Sequence, residues 1–260
     1  MDYQFITMET MGRVLKLSLH RPSTNALNRA FGEELFGAFG EVERMEEVTV
    51  VVITSALDKA FIAGADIKEM AAMDLVESEA FSKLLQEAYS MLPRMKKVVI
   101  AAINGHALGG GCELALACDY RFMTRGKALI GLPEAGLGIV PGAGGTQRLP
   151  RLVGLSKALD ILLRGRVLGP EEALEIGLVD RVLDAETFSA EVMEFATALA
   201  SGAGKALGFI KASVQDGLEL PMEQALEIER KHGLENLKTR DAKEGLKAFA
   251  EKRKPNFTNK

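Results

Sequence analysis

Short β-branched runs alternate with a segment of helical spacing near the start of this sequence. Residues 14–20 and 48–55 read VLKLSLH and VTVVVITS. Between them, from about Asn28, apolar residues recur every three or four positions, as on one face of an amphipathic helix: Phe31, Leu35, Ala38, Phe39, Val42 and Met45. A nearly continuous apolar strand is typical of a sheet covered on both faces. The pattern predicts strand, helix and strand in an α/β fold.

The sequence then predicts the order of buried strand, turn and helix a second time. An amphipathic segment at 68–92 ends at Pro93. The next apolar run, VVIAAI at 98–103, breaks at Asn104-Gly105 and leads through three glycines to CELALACD, which is predicted to be a short helix. A further strand is predicted at 120–124.

The second half of the chain is less regular at first and then helical. Residues 131–154 are too rich in Gly and Pro for regular structure until a helix begins near Gly144. From Ser156 onward the pattern predicts helices only. We therefore expect residues 1–200 to form the core that carries the functional site. Residues 201–260 are expected to form a helical segment for oligomerisation and for covering the site.

Composition and charge narrow the functional classes. Hydrophobic residues make up 47% and charged residues 26%, as in an ordinary globular protein. A net charge of −4 offers no basic field to nucleic acid, and 6% aromatic residues without Trp disfavour base stacking. No stretch approaches the ~20 apolar residues of a membrane span, and no signal-peptide pattern is present. We expect a cytoplasmic protein without nucleic-acid or membrane partners.

The cysteines and histidines carry little chemistry. Cys112 and Cys118 form neither a CxxC pattern nor a disulfide framework, and no nearby His completes a zinc site. Both are predicted to be small core residues. A GxSxG elbow is lacking, so a Ser-His-Asp hydrolase is disfavoured, and a structural role is predicted for His106.

The glycine triplet and the acid that follows it are the first candidate site. In AINGHALGGGCELALACD a buried strand ends, glycines follow, and a helix begins around Gly110. Glycine lets a ligand approach the backbone, and the first amides of a helix lack partners within it. Such amides can stabilise an oxyanion. The spacing is not that of a dinucleotide fingerprint, and no P-loop occurs. Glu113 in this first turn is also explained by the helix dipole alone.

Two further segments can each be explained either by a functional site or by local structure alone. Glu134 follows Pro133 with no Lys or Arg nearby in sequence, and taken alone it is typical of a solvated turn. In FIAGADIKEM, residues 61–70, Gly64 is followed by Asp66, which can cap a helix. Alone, that segment is simply a helix start.

Together these segments resemble the crotonase (enoyl-CoA hydratase/isomerase) superfamily over nearly the whole chain. The resemblance rests on five motifs in family order: RPSTNALN at 21–28, AFIAGADIKEM at 60–70, AAINGHALGGGCELALACD at 101–119, GLPEAGLGIVPGAGGTQRLPRLVG at 131–154 and AFAEKRKPNF at 248–257. It implies a spiral of repeated ββα units with a helical C-terminal segment. It also implies trimers or hexamers of the same chain.

The resemblance assigns roles position by position. It implies that Glu113 and Glu134 are the catalytic carboxylates and that the amides of Ala65 and Gly110 form the oxyanion hole. The implied coenzyme A contacts are Ala63, Ala65, Asp66, Ile67, Lys68 and Gly110, with Lys252 reaching the phosphates of a neighbouring subunit's substrate. No metal or redox cofactor is required.

The chain departs from the family pattern at two positions. Ser23 replaces a lysine that binds coenzyme A, so one phosphate contact is in doubt. Leu132 stands where some hydratases have Gln, which we expect to make the acyl pocket more apolar.

The resemblance implies an acyl-CoA thioester substrate and reversible syn hydration of a 2-enoyl-CoA to a 3-hydroxyacyl-CoA, as in fatty acid β-oxidation. Glu113 would act mainly on water and Glu134 mainly on the Cα proton. A double-bond isomerase or another acyl-CoA lyase is the alternative, although many of these lack one glutamate. A non-enzymatic RNA- or protein-binding relative is the alternative from another class. The acyl group is not predictable, although residues 70–92 are expected to shape its pocket.

Overall fold

The computed structural model describes residues 3–260 and confirms the α/β class. The strands are β1 Ile6–Met11, β2 Val14–Leu19, β3 Val50–Ser55, β4 Ala60–Ala63, β5 Val98–Ile103, β6 His106–Leu108, β7 Tyr120–Thr124, β8 Ile130–Gly131, β9 Val167–Leu168 and β10 Arg181–Leu183. The helices are α1 Arg29–Arg44, α2 Ile67–Ala72, α3 Leu75–Arg94, α4 Gly110–Ala117, α5 Gly145–Val153, α6 Leu155–Arg164, α7 Pro170–Glu175, α8 Phe188–Ala200, α9 Gly204–Gly217, α10 Met222–Leu237 and α11 Arg240–Ala250.

Two sheets share the strands in a repeating order. The larger sheet runs β1-β2-β3-β5-β7-β10, and the smaller one runs β4-β6-β8-β9. Strands β3, β5 and β7 each pass directly to a strand of the smaller sheet, namely β4, β6 and β8. A helix follows each pair after a turn or loop. The chain therefore builds the expected ββα units, and the carboxyl ends of the parallel strands β4, β6 and β8 come together.

Strand β3 is continuously apolar because both of its faces are buried. Val51 and Ile53 belong to the main core, which includes buried side chains of α1 and α3. Val50 and Val52 face a second cluster that includes Phe188 and other residues of α8. Helices thus cover the sheet on both faces, as the sequence pattern predicts.

Two predictions about the elements were wrong. The segment at 68–92 is not one helix, because Asp74 starts a new helix with a capping box to Glu77, and α2 ends two residues earlier. The region after Ser156 is not helical only, since it supplies β9 and β10. Strand β10 joins the larger sheet beside β7, where Asp180 accepts hydrogen bonds from the backbone and side chain of Arg121.

The cysteines and His106 have the structural environments predicted for them. Cys112 and Cys118 are free and buried. The Nδ1 atom of His106 accepts a hydrogen bond from the Leu129 amide, at 3.2 Å. Within residues 3–260, no helix combines the length and apolar character that a bilayer crossing demands.

Candidate active site

A cavity of about 390 Å³ lies at the carboxyl ends of β4, β6 and β8. Ala63, Leu108 and Pro133, at or just beyond the ends of β4, β6 and β8, all line it. The same cavity reaches Glu113 and Glu134. The topology therefore brings together segments that are some 70 residues apart in sequence.

The turn after β4 exposes the Ala65 amide to this cavity. Leu27 pairs with the turn on both sides of Ala65: its amide donates to the Gly64 carbonyl at 2.8 Å, and its carbonyl accepts from the Asp66 amide at 2.7 Å. No backbone acceptor within residues 3–260 takes the Ala65 amide itself. Ala65 lines the cavity, so this donor is placed to bind an oxygen of a ligand.

Each of the three consecutive glycines has a different structural environment. Gly109 has a φ of 54°, and a side chain there would lie 2.8 Å from Oε1 of Glu134. Gly110 begins α4, and its carbonyl accepts a hydrogen bond from the Tyr89 hydroxyl at 3.1 Å. Its amide, in the first helical turn, has no partner within the helix. A Cβ on Gly111 would lie 2.2 Å from the Ile62 carbonyl oxygen. Only glycine allows α4 to start this close to β4.

Glu113 is a buried carboxylate held by backbone amides. The amides of Ala143 and Gly145 each donate to its Oε1 at 2.8 Å. Burial raises the pKa of Glu113 above its usual value, while these amides and the charge of Arg148 act in the opposite direction. The orientation of this carboxylate is therefore fixed by a loop about 30 residues away in sequence.

Glu134 lies in a 3-10 turn, Pro133–Leu137, and is 9% exposed. Its Oε2 atom is buried and has no hydrogen-bond partner within residues 3–260. Burial, with a smaller contribution from the negative charge of Glu113, raises the pKa of Glu134 to about 7. This carboxyl group can therefore hold a proton near neutral pH and release it.

Apolar side chains form most of the remaining wall. Most come from α2, α3 and the segment after the 3-10 turn: Met70, Met73, Phe81, Leu85, Leu137, Ile139 and Val140. The Gly142 carbonyl accepts hydrogen bonds from Ser82 and Gln86 of α3, each at 2.7 Å. Helix α3 thus fixes the loop that holds Glu113. It also lines the cavity, in agreement with the expectation for residues 70–92.

The predicted coenzyme A residues do not all meet at this cavity. Ala63 and Ile67 line it together with Ala65 and Gly110, whereas Asp66 and Lys68 do not. Asp66 caps α2 and forms an ion pair with Arg21 at 2.9 Å. Lys68 is an exposed residue of α2.

Three other positions singled out in the sequence lie away from the cavity. Lys252 follows α11 and is exposed. Ser23 is exposed as well. Leu132 is fully buried and packs against Gly145, so it lies behind the cavity rather than in its wall. The expectation that Leu132 makes the pocket surface more apolar was therefore wrong.

Sequence reasoning missed the residues that support the site. Tyr89 holds the start of α4, and the amides of Ala143 and Gly145 hold Glu113. The dense glycines at 142–145 were a signal that backbone, rather than side chains, does the binding here. Tyr89 gave no signal, because a tyrosine at helical spacing is typical of any core.

Several known proteins are similar to this chain over nearly its full length. A family model described as enoyl-CoA hydratase/isomerase matches residues 9–260. A crotonyl-CoA hydratase of Syntrophomonas wolfei is 41% identical over 100% of both chains. A short-chain-enoyl-CoA hydratase of Clostridium acetobutylicum is 39% identical over 98% of this chain and 97% of its own length. A solved structure of an enoyl-CoA hydratase from Bacillus anthracis has a TM-score of 0.94 at 37% identity, covering 99% of this chain and 100% of that one.

Proposed function

This chain belongs to the enoyl-CoA hydratase/isomerase (crotonase) family, and on that premise we propose that it is an enoyl-CoA hydratase. The reaction is the reversible syn addition of water to a 2-enoyl-CoA, giving a 3-hydroxyacyl-CoA. One observation carries the proposal: two buried glutamates and two backbone amides face one largely apolar cavity. An isomerase needs only a proton shuttle, whereas hydration needs a base for water as well as an acid.

The amides of Ala65 and Gly110 act on the thioester carbonyl. As the nucleophile adds at Cβ, negative charge moves to the thioester oxygen, which becomes enolate-like. Two fixed amide donors stabilise that charge without reorganising, and losing one such donor typically lowers the rate ~10²–10³-fold. Tyr89 and Leu27 keep these two backbone segments in place.

The two glutamates divide the proton transfers between them. Glu113, oriented by two amides, accepts a proton from water as its oxygen attacks Cβ. Glu134, with its pKa raised to about 7, delivers a proton to Cα. One proton enters the pair and one leaves it, so the pair ends with the same number of protons. The reverse sequence dehydrates a 3-hydroxyacyl-CoA.

A direct test is hydration of crotonyl-CoA by the purified protein, followed as loss of enoyl-thioester absorbance. We expect Glu113→Gln and Glu134→Gln each to lower kcat by a factor on the order of 10²–10⁴, because each removes a group that transfers a proton in the transition state. Circular dichroism checks that the variants keep the fold. Near-normal turnover of either variant would contradict the two-acid mechanism.

A substrate panel separates hydratase from isomerase. Enoyl-CoA thioesters of increasing chain length should be hydrated at different rates, and a 3-enoyl-CoA reports double-bond migration. Glu77→Gln is a suitable control for the Glu113→Gln and Glu134→Gln variants. Glu77 is exposed, accepts a hydrogen bond from the Asp74 amide at the start of α3 and does not line the cavity. Migration without hydration of any 2-enoyl-CoA would move the assignment to an isomerase.

The helical C-terminal segment, residues 201–260, is proposed to serve assembly and to cover the site. Several of its large apolar side chains are exposed in the single chain: Ile210, Val214, Leu218, Leu220, Met222, Leu226, Leu234, Leu237, Leu246 and Phe249. Apolar area of this extent is typical of a protein-protein interface. A trimer or hexamer would cover it and bring Lys252 to a neighbouring subunit's coenzyme A phosphates.

A further inference from the structure

The guanidinium group of Arg148, in α5, supports the loop that holds Glu113. Its Nη1 donates to the Ala143 carbonyl at 2.9 Å, and its Nη2 donates to the Ser90 hydroxyl of α3 at 3.1 Å. A Cβ on Gly144 would lie 2.1 Å from Nη1, so the guanidinium packs directly on that glycine. Arg148 and Glu113 therefore contact neighbouring residues of one short loop.

Arg148 is partly buried, and its printed hydrogen-bond partners are a carbonyl and a hydroxyl rather than a carboxylate. Within residues 3–260, no carboxylate oxygen lies within 4.0 Å of its guanidinium. Burial lowers the pKa of Arg148, and the negative charge of Glu113 is the largest influence that opposes this. A partly desolvated cation that lacks an ion-pair partner costs stability.

We propose that Arg148 is a positioning residue of the reaction, which fixes the Ala143–Gly145 loop and places a positive charge where it acts on the Glu113 carboxylate. The hydrogen bond to the Ala143 carbonyl holds the peptide group that lies between the two amides that orient Glu113. The charge favours the ionised form of Glu113, which is the form that accepts a proton from water. This inference rests on the proposed hydratase function and extends it to a residue outside the cavity wall.

The other ionisable groups around Glu113 do not supply this charge. Glu134, from the 3-10 turn, is negative when ionised and opposes the ionisation of Glu113. Tyr89 of α3 and Cys112 of α4 are fully buried and have pKa values raised above their usual range, so both are neutral. Arg121 of β7 is paired with Asp180 and bonded to the Cys118 carbonyl. Arg148 is the cation whose charge acts on Glu113.

The test compares Arg148→Gln with Arg148→Lys. Both are shorter and can still donate to a carbonyl, but only lysine keeps the charge. The readout is the pH profile of kcat/KM for crotonyl-CoA hydration, together with a ¹³C NMR titration of the Glu113 carboxyl, assigned with Glu113→Gln. Arg151→Gln is the matched control, since Arg151 lies on the same helix and pairs with exposed Glu219.

Because the charge of Arg148 favours the ionised form of Glu113, we expect Arg148→Gln to move the Glu113 titration to higher pH. The acid limb of the kcat/KM profile should move with it, so that kcat/KM on the acid side falls by roughly threefold or more. Arg148→Lys should stay near the wild-type profile, and Arg151→Gln should match it. Ser90→Ala, which removes one anchor and keeps the charge, should also leave the limb in place.

An unmoved limb in Arg148→Gln would overturn the proposal, as would equal shifts in the glutamine and lysine variants. If Arg148→Gln does not fold, Arg148→Met serves as the neutral variant under the same criteria. The NMR titration needs no turnover. A wild-type protein without hydratase activity would therefore refute the proposed function while the effect of Arg148 on Glu113 is still measured.

Discussion

Glu113 and Glu134 face the same cavity but receive different numbers of hydrogen bonds. Two amides donate to Glu113, while Oε2 of Glu134 is buried without a donor within residues 3–260. Backbone donors replace the water that a carboxylate loses on burial, and their absence favours the protonated form. The donors therefore favour the ionised form of Glu113 more than that of Glu134, which is the difference that the proposed roles of base and acid require.

This asymmetry predicts the pH dependence of the reaction. The active pair holds one proton, so kcat/KM should follow a bell-shaped profile. Its alkaline limb reflects loss of that proton, and with the pKa of Glu134 raised to about 7, activity should fall as the pH rises through about 7. Hydration consumes no net proton, so its equilibrium constant does not vary with pH. The profile for dehydration of 3-hydroxybutyryl-CoA should therefore coincide with that for hydration of crotonyl-CoA.

Initial rates in both directions, measured between about pH 5 and 9, check this prediction. In Glu134→Gln the residual activity should lose the alkaline limb, because glutamine does not ionise. A limb that persists unchanged in that variant would assign the titration near neutral pH to another group.

At the residue level, the sequence showed which groups are present but not what surrounds them. Glu113 and Glu134 were predicted to be catalytic because each lies in a glycine-rich motif. Their different donors were not predictable, because the amides of Ala143 and Gly145 reach Glu113 only after the chain has passed through β7 and β8. Contacts between distant segments leave no local pattern.

At the level of elements, the close contact of α4 with β4 sets the positions of the two amides proposed to form the oxyanion hole. Gly111 makes that contact, with the Ile62 carbonyl oxygen 2.2 Å from where a Cβ would be. Backbone atoms on both sides cannot yield as a flexible side chain can. The two donors, on Ala65 and Gly110, thus keep their separation because two backbones are packed together.

We predict that Gly111→Ala lowers the free energy of unfolding by about 1–3 kcal/mol or more, because the added methyl group forces α4 away from β4. The surviving folded fraction should show a reduced kcat, since moving α4 moves the Gly110 amide. Gly136→Ala is the control, because a Cβ at Gly136 meets no atom within 4 Å. Urea unfolding measures both variants, and a Gly111→Ala protein as stable as Gly136→Ala would refute the packing argument.

Element prediction succeeded where an apolar run was long enough to be seen, and β1, although six residues long, was missed because most of its side chains are not buried. Strands β3, β5 and β7, of five or six residues, were predicted within two residues, because a run of that length shows its apolar character. Strands β8 and β9 have two residues each and carry no period. They form because each pairs with a neighbouring strand of the smaller sheet, and the local sequence does not show this tertiary contact. The break at Asp74 was overlooked because no Gly or Pro marks it, and the Asp74 side chain itself caps the new helix.

At the scale of the whole molecule, the sheets and the C-terminal helices have different surfaces. The core of the ββα units is enclosed, whereas α9 to α11 present apolar side chains to solvent in the single chain. Ile210 and Val214 on α9 and Leu218, which caps its end in helical conformation, are 62%, 56% and 67% exposed and are spaced four residues apart, so they share one face. Phe249 on α11 is 88% exposed. A lone chain would keep these side chains in water at a cost that association removes.

We therefore predict that the protein is an oligomer in solution and that Val214→Glu shifts it towards smaller species. A carboxylate buried at an interface without a partner costs several kcal/mol, and every 1.4 kcal/mol weakens association about tenfold. Gln215→Glu adds the same charge at an exposed position one residue along the helix and should retain the wild-type mass. Light scattering coupled to size exclusion gives the masses directly. A monomeric wild-type protein, or a Val214→Glu variant of unchanged mass, would mean that this face of α9 is not the interface.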